Sequence, residues 1–437
     1  MLTAGVFSKK LETRLWHPFA AMGSVRGGEF VVSRGRDVWV YDQAGDRYLD
    51  GTASLWYANV GHGRPEMAEA VLRQLRELET YSAFGDIANP PALELAHRLA
   101  ELAPMAGARV FFGSGGGDGI EAAAKLARRF FELTGQPERD HLIARSGGYH
   151  GTHGYGTSLA GIEANRVAQG SGSSATSIVP HDSIEALEAE IDRIGSERVA
   201  AFFAEPVIGA GGVYPPPAGY LERAGALCRE RGILFIVDAV ICAFGRLGTW
   251  FGVERWGIAP DMIVFAKGVT SGYLPLGGVV VDDRVADPFW NADAPSFRHG
   301  VTYAAHATCC AAALANVEIL EAEGLLARGR ELEADLLEVL SPLDDHPLVA
   351  EVRGGTGLMA AVELDPELCA RQSEAPVHVA LGARDAGVLV RPLGTSVATS
   401  PPLTVRCEHL PMIAEAIRRG LDALAEFSPK VATAVRG

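Results

Sequence analysis

Two apolar runs in the middle of the chain each end in an ionisable side chain. Residues 233–238 end at Asp238, and in residues 262–268 the amine of Lys267 follows five apolar side chains. Short runs rich in β-branched and aromatic residues are typical of strands that are buried on both faces in an α/β sheet. A carboxylate and an amine are costly to bury without partners, so this pair is the first candidate for chemistry. A structural ion pair is the alternative explanation for both residues.

A glycine-rich loop, residues 113–119, lies between a predicted strand at 109–112 and a predicted helix at 120–131. Backbone N–H groups and the helix dipole at such a junction favour binding of a phosphate. The loop has neither the GxGxxG spacing of dinucleotide sites nor the GxxxxGK[ST] spacing of P-loops, which argues against an NAD-linked dehydrogenase. Taken alone, it is explained at least as well by a tight turn between strand and helix.

Taken together, the lysine, the aspartate and the glycine loop match the requirements of pyridoxal phosphate. A lysine amine forms a Schiff base with the aldehyde of this cofactor, and an aspartate pairs with the pyridinium N–H. Its phosphate binds at a helix N-terminus. The combination therefore favours a cofactor site over an ion pair.

The elements that must position these residues alternate between strand and helix from residue 109 to residue 267, which predicts a large, doubly wound and mostly parallel sheet. Ligands of such sheets bind beyond the strand ends. We expect residues 61–325 to form this large domain, and residues 1–60 and 326–437 to form a smaller α+β domain. The predicted helices are 65–78, 93–102, 120–131, 183–194, 220–231 and 308–323, and residues 146–177 are predicted to be a loop.

Composition excludes several classes of protein. The chain has 437 residues, a net charge of −15 and 48% hydrophobic residues, which is typical of a globular protein. It has no dense run of Lys and Arg for nucleic acid and no apolar run of the ~20 residues that span a membrane. The six cysteines show no paired spacing and no secretory signal is evident, so we expect a reduced protein in the cytoplasm.

The motifs resemble those of class III aminotransferases among the fold-type-I pyridoxal phosphate enzymes. Within that class, the chain is similar to the omega-amino acid:pyruvate and amine:pyruvate transaminases. The resemblance covers nearly the whole chain, and its motifs follow in the order of the family. The matching stretches are 51–56, 114–128, 149–151, 204–207, 238–240, 244–246, 265–268, 300–303 and 400–403.

The resemblance implies a role for each matched residue of the cofactor site. Lys267 would be the Schiff-base lysine and Asp238 the partner of the pyridine nitrogen, and both would be catalytic. Tyr149 would stack on one face of the ring, and Val240 would pack on the other. The residues implied to bind the cofactor are Ser114, Gly115, Gly116, Gly117, Tyr149, His150, Glu205, Asp238, Val240, Lys267 and Thr302.

The resemblance also implies how substrates and subunits are arranged. Trp56, Phe84 and Tyr149 would wall the amine pocket, and Arg391 would bind a carboxylate through its planar fork or swing away from an amine that lacks one. Thr302 would reach the phosphate from the neighbouring subunit, which implies a homodimer with shared active sites and leaves a tetramer open. His150 and His306 have no metal-ligand spacing, and we expect no metal.

Several residues depart from the family's usual pattern. Ala239 replaces a common Glu after the cofactor aspartate, and Gly117 replaces the usual Ser of the phosphate turn. Further departures are Ala243 and Ala305 for Gly, Ala307 for Pro and Ile208 for Gln.

The implied activity is a ping-pong transfer of an amino group from an amine or omega-amino acid to a 2-oxo acid, with pyruvate as the expected acceptor. A decarboxylating transaminase, an aminomutase and a cofactor-binding protein with impaired catalysis are the alternatives.

Overall fold

The computed structural model describes residues 13–25, 28–167, 170, 172–173 and 175–427. The strands are β1 (Val32–Arg36), β2 (Trp39–Asp42), β3 (Arg47–Asp50), β4 (Arg109–Gly113), β5 (His141–Arg145), β6 (Thr176–Val179), β7 (Val199–Ala204), β8 (Leu234–Asp238), β9 (Met262–Phe265), β10 (Gly277–Val281), β11 (Val349–Arg353), β12 (Ala360–Leu364), β13 (Val388–Leu389), β14 (Arg391–Leu393) and β15 (Ser396–Thr399). The helices are α1 (Met22–Val25), α2 (Ala53–Trp56), α3 (Pro65–Glu77), α4 (Pro90–Leu102), α5 (Gly116–Leu133), α6 (Gly154–Ser158), α7 (Ile184–Ile194), α8 (Tyr220–Arg231), α9 (Asp283–Trp290), α10 (Ala307–Ala322), α11 (Leu325–Leu340), α12 (Pro366–Arg371), α13 (Ala375–Asp385) and α14 (Leu410–Phe427). Short 3-10 helices lie at Glu163–Arg166, Ser196–Arg198, Val253–Trp256, Lys267–Val269, Ser341–Asp345 and Cys407–His409.

The central sheet has seven strands in the order β4-β10-β9-β8-β7-β5-β6. Neighbours from β9 to β6 are parallel, and β10 is antiparallel to both β4 and β9. The expected doubly wound, mostly parallel sheet is therefore confirmed, with one antiparallel strand inserted near its edge.

Both faces of this sheet are buried, which explains the continuous apolar runs. Along β8, Phe235 and Val237 belong to one hydrophobic core, and Leu234 and Ile236 belong to another. Successive side chains of a strand point to opposite faces, so a strand covered on both sides must be apolar throughout. Its last residue, Asp238, is then left at the sheet's carboxyl edge.

Two elements that hold the site begin earlier than their apolar patterns predict. α4 starts at Pro90 because the Asn89 side chain accepts a hydrogen bond of 3.0 Å from the Ala92 N–H, which caps the helix. α5 starts at Gly116, inside the glycine loop. The first turn of an 18-residue helix therefore forms part of the loop that was proposed to bind a phosphate.

Two smaller sheets hold the ends of the described chain. One has the order β1-β2-β3-β13, in which β13 runs parallel to β3 and joins a C-terminal strand to the N-terminal meander. The other, β11-β12-β15-β14, is antiparallel. The pairing of β13 with β3 supports a small domain built from both ends of the chain. The domain boundaries at residues 60 and 325 stay a prediction.

Candidate active site

Asp238 and Lys267 follow two neighbouring parallel strands and face the same cavity. Asp238 ends β8, and Lys267 begins the 3-10 helix just after β9. The cavity has a volume of about 420 Å³, within the range of small-molecule sites. Lys267 has a backbone φ of +47°, a strained conformation for a residue with a side chain.

The cavity brings together ten of the residues that the sequence predicts to bind the cofactor: Ser114, Gly115, Gly116, Gly117, Tyr149, His150, Glu205, Asp238, Val240 and Lys267. Four other predicted residues, all in the described part of the chain, lie outside its lining: Trp56, Phe84, Thr302 and Arg391. The lining also includes residues that the sequence did not single out: Tyr57, Ile120, Gly151, Ile241, Ala266, Thr270, Gly272, Tyr273, Leu274, Pro275 and Leu276. Tyr57 directly follows the matched stretch 51–56, and residues 270–276 follow Lys267. Their closeness in sequence to predicted site residues was the signal that could have identified them.

The carboxylate of Asp238 is held by two donors. Its Oδ2 lies 2.9 Å from Nδ1 of His150, and its Oδ1 accepts a hydrogen bond of 3.1 Å from the Val240 N–H. Both side chains of the His150–Asp238 pair are almost fully buried. Charge-assisted hydrogen bonds of this kind fix a carboxylate in orientation.

Glu205 is a second buried carboxylate of the site. Its Oε1 accepts from the Tyr149 N–H at 2.9 Å, and its Oε2 accepts from the Gly209 N–H at 3.0 Å. Burial, and then the negative charge of Asp238, raise the pKa of Glu205 above its ordinary value. Glu205 therefore anchors the backbone that presents Tyr149 to the cavity.

Lys267 is half-buried and lines the cavity. Burial lowers the pKa of Lys267 below its ordinary value, and the nearby carboxylates of Asp238 and Glu205 partly oppose that shift. A lysine with a lowered pKa is more often neutral and hence nucleophilic, so this geometry suits covalent chemistry.

The glycine turn at the start of α5 leaves space that a side chain would fill. A Cβ atom at Gly116 would lie 2.9 Å from Cγ2 of Val240. The Ser114 N–H donates to Oδ2 of Asp118 at 2.8 Å, which fixes the loop below the helix. The first N–H groups of an α-helix have no partner within the helix, so this turn can hold an anion.

Arg391 begins β14 and is half-buried. Burial lowers the pKa of Arg391, and Tyr149 opposes that shift. Its buried Nε has no hydrogen-bond partner among the described residues. An unsatisfied buried donor is costly, so Arg391 is suited to receive an acceptor such as a carboxylate.

Trp56 lies behind the cavity wall, and its neighbour Tyr57 lines the cavity. Trp56 is only 3% exposed and belongs to a buried cluster with Val207, Ile241 and Leu393, of which Ile241 lines the cavity. The turn before it is strained, with φ of +44° at Ala53, +59° at Ser54 and +67° at Trp56.

The carboxylate of Asp50 holds this strained turn. Its Oδ2 accepts from the Ser54 N–H at 2.7 Å and lies 2.7 Å from Nε2 of His62. Its Oδ1 accepts from the N–H and the hydroxyl of Thr52 at 3.2 and 3.1 Å.

Phe84 lies beside Gly300, two residues before Thr302, and Phe84 and Thr302 are both exposed. Phe84 is 56% exposed, and a Cβ atom at Gly300 would lie 3.7 Å from its ring. Thr302 is exposed, and the neighbouring Tyr303 is 64% exposed. These residues form an aromatic surface outside the lining of this chain's own cavity.

Five of the six residues that depart from the family pattern are buried; the sixth, Gly117, lines the cavity. Ala239 is buried directly after Asp238, and its N–H donates to the Val264 oxygen at 2.9 Å. Ala305 has a φ of +55°, a conformation that favours the glycine common at this position. Ala243, Ala307 and Ile208 are also buried.

No helix in the described ranges has the length and apolar character needed to span a membrane. Among the same residues, no three metal-ligating side chains come together in a cluster.

Comparison with known proteins places these features in a family context. The family model for class III aminotransferases matches residues 22–421. The putrescine–pyruvate aminotransferase of Pseudomonas aeruginosa is 36% identical over 423 residues, covering 91% of each chain. The omega-aminotransferase of Caulobacter vibrioides is 35% identical over 426 residues, covering 93% of this chain and 96% of the relative.

Solved structures show the same similarity. An amine transaminase from an uncultivated Pseudomonas species, in its PLP-bound form, has a TM-score of 0.90 and 37% identity, covering 95% of this chain and 100% of that one. An (S)-enantioselective omega-transaminase from Thermomicrobium roseum has a TM-score of 0.88 and 38% identity, covering 93% of this chain and 96% of that one.

Proposed function

Because this chain belongs to the class III aminotransferases, we propose that it moves an amino group from an amine or omega-amino acid to pyruvate. The observation that carries the proposal is the placement of Lys267 and Asp238 at adjacent strand ends on one cavity, which the glycine turn of α5 also lines. The buried Nε of Arg391, which has no hydrogen-bond partner among the described residues, supports it. The relatives named for pyruvate as acceptor support the choice of the 2-oxo acid.

Membership in the family confirms the resemblance drawn from the motifs. The fold is that of the fold-type-I pyridoxal phosphate enzymes, and the protein is a pyridoxal phosphate-dependent aminotransferase. The roles of individual residues are part of the proposal.

The residues present fit pyridoxal phosphate. The glycine turn of α5 would hold the phosphate, because a side chain at Gly116 would run into Val240 and its absence leaves backbone N–H groups accessible. Asp238, held by His150, would bind the ring nitrogen, and Lys267 would hold the aldehyde carbon. When bound, the cofactor supplies an aldehyde that links covalently to amines and a ring that takes up electrons from the substrate carbon.

Two side chains would carry out the proton chemistry around that ring. The amine of Lys267, once released from the cofactor, would move a proton from the substrate carbon to the cofactor carbon; a positioned base of this kind contributes ~10²- to 10⁴-fold. The carboxylate of Asp238 would keep the ring nitrogen protonated through its fixed orientation toward the cavity.

Arg391 would select between the two substrates of the cycle. Its unsatisfied Nε would donate to the carboxylate of pyruvate, in the two-point geometry that arginine offers. A donor amine without a carboxylate would require the guanidinium to move aside and leave the apolar wall exposed. Tyr57 would form that wall where it lines the cavity, and the buried Trp56 would support it from behind.

We further propose a homodimer in which each subunit completes its partner's site, with a tetramer as a possible further assembly. The exposed residues Phe84, Thr302 and Tyr303 support this arrangement, since they lie outside the lining of this chain's own cavity. We also propose a cytoplasmic location; all six cysteines are free, and five of them are buried. Light scattering of the purified protein measures the mass of the assembly.

The test of function is alanine formation from pyruvate with a panel of donors: a diamine such as putrescine, an omega-amino acid and a simple amine. We expect alanine to accumulate with at least one donor and Lys267→Ala to form none. Release of carbon dioxide, turnover of an amino aldehyde without a second substrate, or bound cofactor that does not exchange with any amine would each contradict the proposal. These outcomes indicate, in turn, decarboxylation, an aminomutase and impaired catalysis.

A further inference from the structure

The imidazole of His153 lies against the first turn of α5. A Cβ atom at Gly117 would lie 3.2 Å from Cε1 of His153, 3.3 Å from Nδ1 and 3.4 Å from Nε2. Such contacts are tighter than usual packing distances, so the ring occupies the space where a side chain at position 117 would begin. Gly117 itself lines the cavity, and both ring nitrogens therefore lie one side-chain length from the glycine turn.

The glycine turn provides few side-chain donors for an anion. Gly115, Gly116 and Gly117 carry no side chains. The Ser114 N–H is used by Asp118, and the Gly119 N–H is bonded to the Gly115 oxygen at 3.1 Å. A phosphate at this turn would be held there by the first backbone N–H groups of α5, by the hydroxyl of Ser114 and, in the proposed dimer, by Thr302 of the partner subunit. A further side-chain donor would strengthen its binding.

His153 is placed to add that donor. Its Nδ1 lies 3.7 Å from Oδ1 of Asp118, beyond hydrogen-bond distance, so the ring N–H is not used by Asp118 and either tautomer of the imidazole has one N–H to donate to a ligand. The side chain is 52% exposed, so part of the ring is open to a ligand. Asp118 also places a carboxylate beside the turn, and a hydrogen bond donated by His153 would offset part of its repulsion of a phosphate.

We propose that His153 is a cofactor-binding residue that donates a hydrogen bond to the phosphate of pyridoxal phosphate. The imidazole donates the hydrogen bond that a serine hydroxyl at position 117 would otherwise donate. Glycine is required at position 117 because the ring occupies the space of a side chain there. This inference rests on the proposed location of the phosphate at the start of α5.

Binding to the apoenzyme tests the proposal, with pyridoxal phosphate and phosphate-free pyridoxal as paired probes. We expect His153→Ala to raise the Kd of pyridoxal phosphate about tenfold or more, the range of a charge-assisted hydrogen bond. The Kd of pyridoxal should stay within about twofold, because that probe lacks the group His153 binds. His153→Gln, which retains a donor, should lose less than His153→Ala.

A second pair of variants tests whether a serine hydroxyl at position 117 can replace the hydrogen bond that His153 donates. In the His153→Ala background, Gly117→Ser has room for its hydroxyl and should recover much of the lost affinity for pyridoxal phosphate. In the parent, Gly117→Ser should weaken binding, since the new side chain meets the imidazole. His97→Ala, on the exposed face of α4, is the matched control and should bind both probes like the parent.

The result that overturns the proposal is an unchanged Kd for pyridoxal phosphate in His153→Ala, or an equal loss for pyridoxal phosphate and pyridoxal. If the parent transfers no amino group but His153→Ala still weakens pyridoxal phosphate selectively, the proposed function fails and the role of His153 stands. Circular dichroism of each apoprotein checks that the variants are folded.

Discussion

Nδ1 of His150 lies 2.9 Å from Oδ2 of Asp238, and this buried pair links the loop after β5 to the end of β8. We predict that Asp238→Asn will lower turnover by about ten- to a hundredfold, because a hydrogen bond to a charged group is worth about 1.5–3 kcal/mol. Turnover with saturating cofactor is the measurement. His150→Phe should lose less, since the carboxylate remains; a greater loss in His150→Phe than in Asp238→Asn would contradict this ranking.

Lys267→Ala should lack the visible absorbance of the lysine-bound cofactor, which borohydride abolishes in the parent. Activity should fall by at least ~10²- to 10⁴-fold, because the base that moves the substrate proton is also removed. A visible band in Lys267→Ala that borohydride still abolishes would show that another amine holds the cofactor. The substitution lies in a cavity lining, so the fold should persist.

The pKa of Lys267 has a direct consequence for cofactor capture. The neutral amine is the nucleophile, and burial lowers the pKa of Lys267 from its ordinary value of 10.5. The rate at which the apoprotein captures pyridoxal phosphate should therefore rise with pH and level off before pH 10.5. Stopped-flow absorbance across pH gives the profile, and a midpoint at or above that of a free lysine would exclude a lowered pKa.

Arg391→Ala should damage the half-reaction with pyruvate far more than the half-reaction with a simple amine. The loss in kcat/KM for pyruvate should be about ten- to a hundredfold, the range for a hydrogen bond between charged groups. Single-turnover rates of the two half-reactions separate the effects. Arg391→Lys is the control, because it keeps the charge but loses the planar fork, and should recover only part of the rate. Equal losses in both half-reactions would argue against carboxylate binding.

Asp50→Ala should destabilise the protein by about 2–5 kcal/mol, because it leaves buried donors and His62 without their acceptor. The strained backbone from Ala53 to Trp56 should then relax, which raises KM as Tyr57 shifts. Chemical unfolding and steady-state kinetics measure the two effects. Thr52→Val removes one of these hydrogen bonds and should cost less; a stability loss without any change in KM would mean that the turn does not position Tyr57.

The chemical centre was predictable from the sequence because each of its residues ends a recognisable element. The apolar runs before Asp238 and Lys267 predict buried strands, and parallel strands bring their carboxyl ends to one edge. The glycine loop predicts a helix start, although α5 begins four residues before its apolar pattern. In that sense the site follows from local patterns and one topological rule.

Other features could not be predicted because their signals are weak or distant in the chain. β10 begins with Gly277 and Gly278, which lower its strand propensity, and the first two of the four residues of β6 lie inside the segment predicted to be a loop. Tyr57 lines the cavity only because three nearby residues adopt positive φ, which no periodicity indicates. The close approach of His153 to Gly117 brings the residue before α6 against the first turn of α5, and the rest of α5 and β5 separate them in sequence.

The carbonyl oxygen of Gly51 accepts two hydrogen bonds of 2.7 Å, from the Ser400 N–H and from the hydroxyl of Thr399. Thr399 ends β15, which pairs with the strand that begins at Arg391. These two hydrogen bonds connect the turn that presents Tyr57 to the hairpin that carries Arg391, although Gly51 and Thr399 are 348 residues apart in sequence. Substitutions on the two sides should therefore be epistatic, and a library that varies Tyr57 and Arg391 jointly will reach substrate ranges that stepwise selection at either position misses.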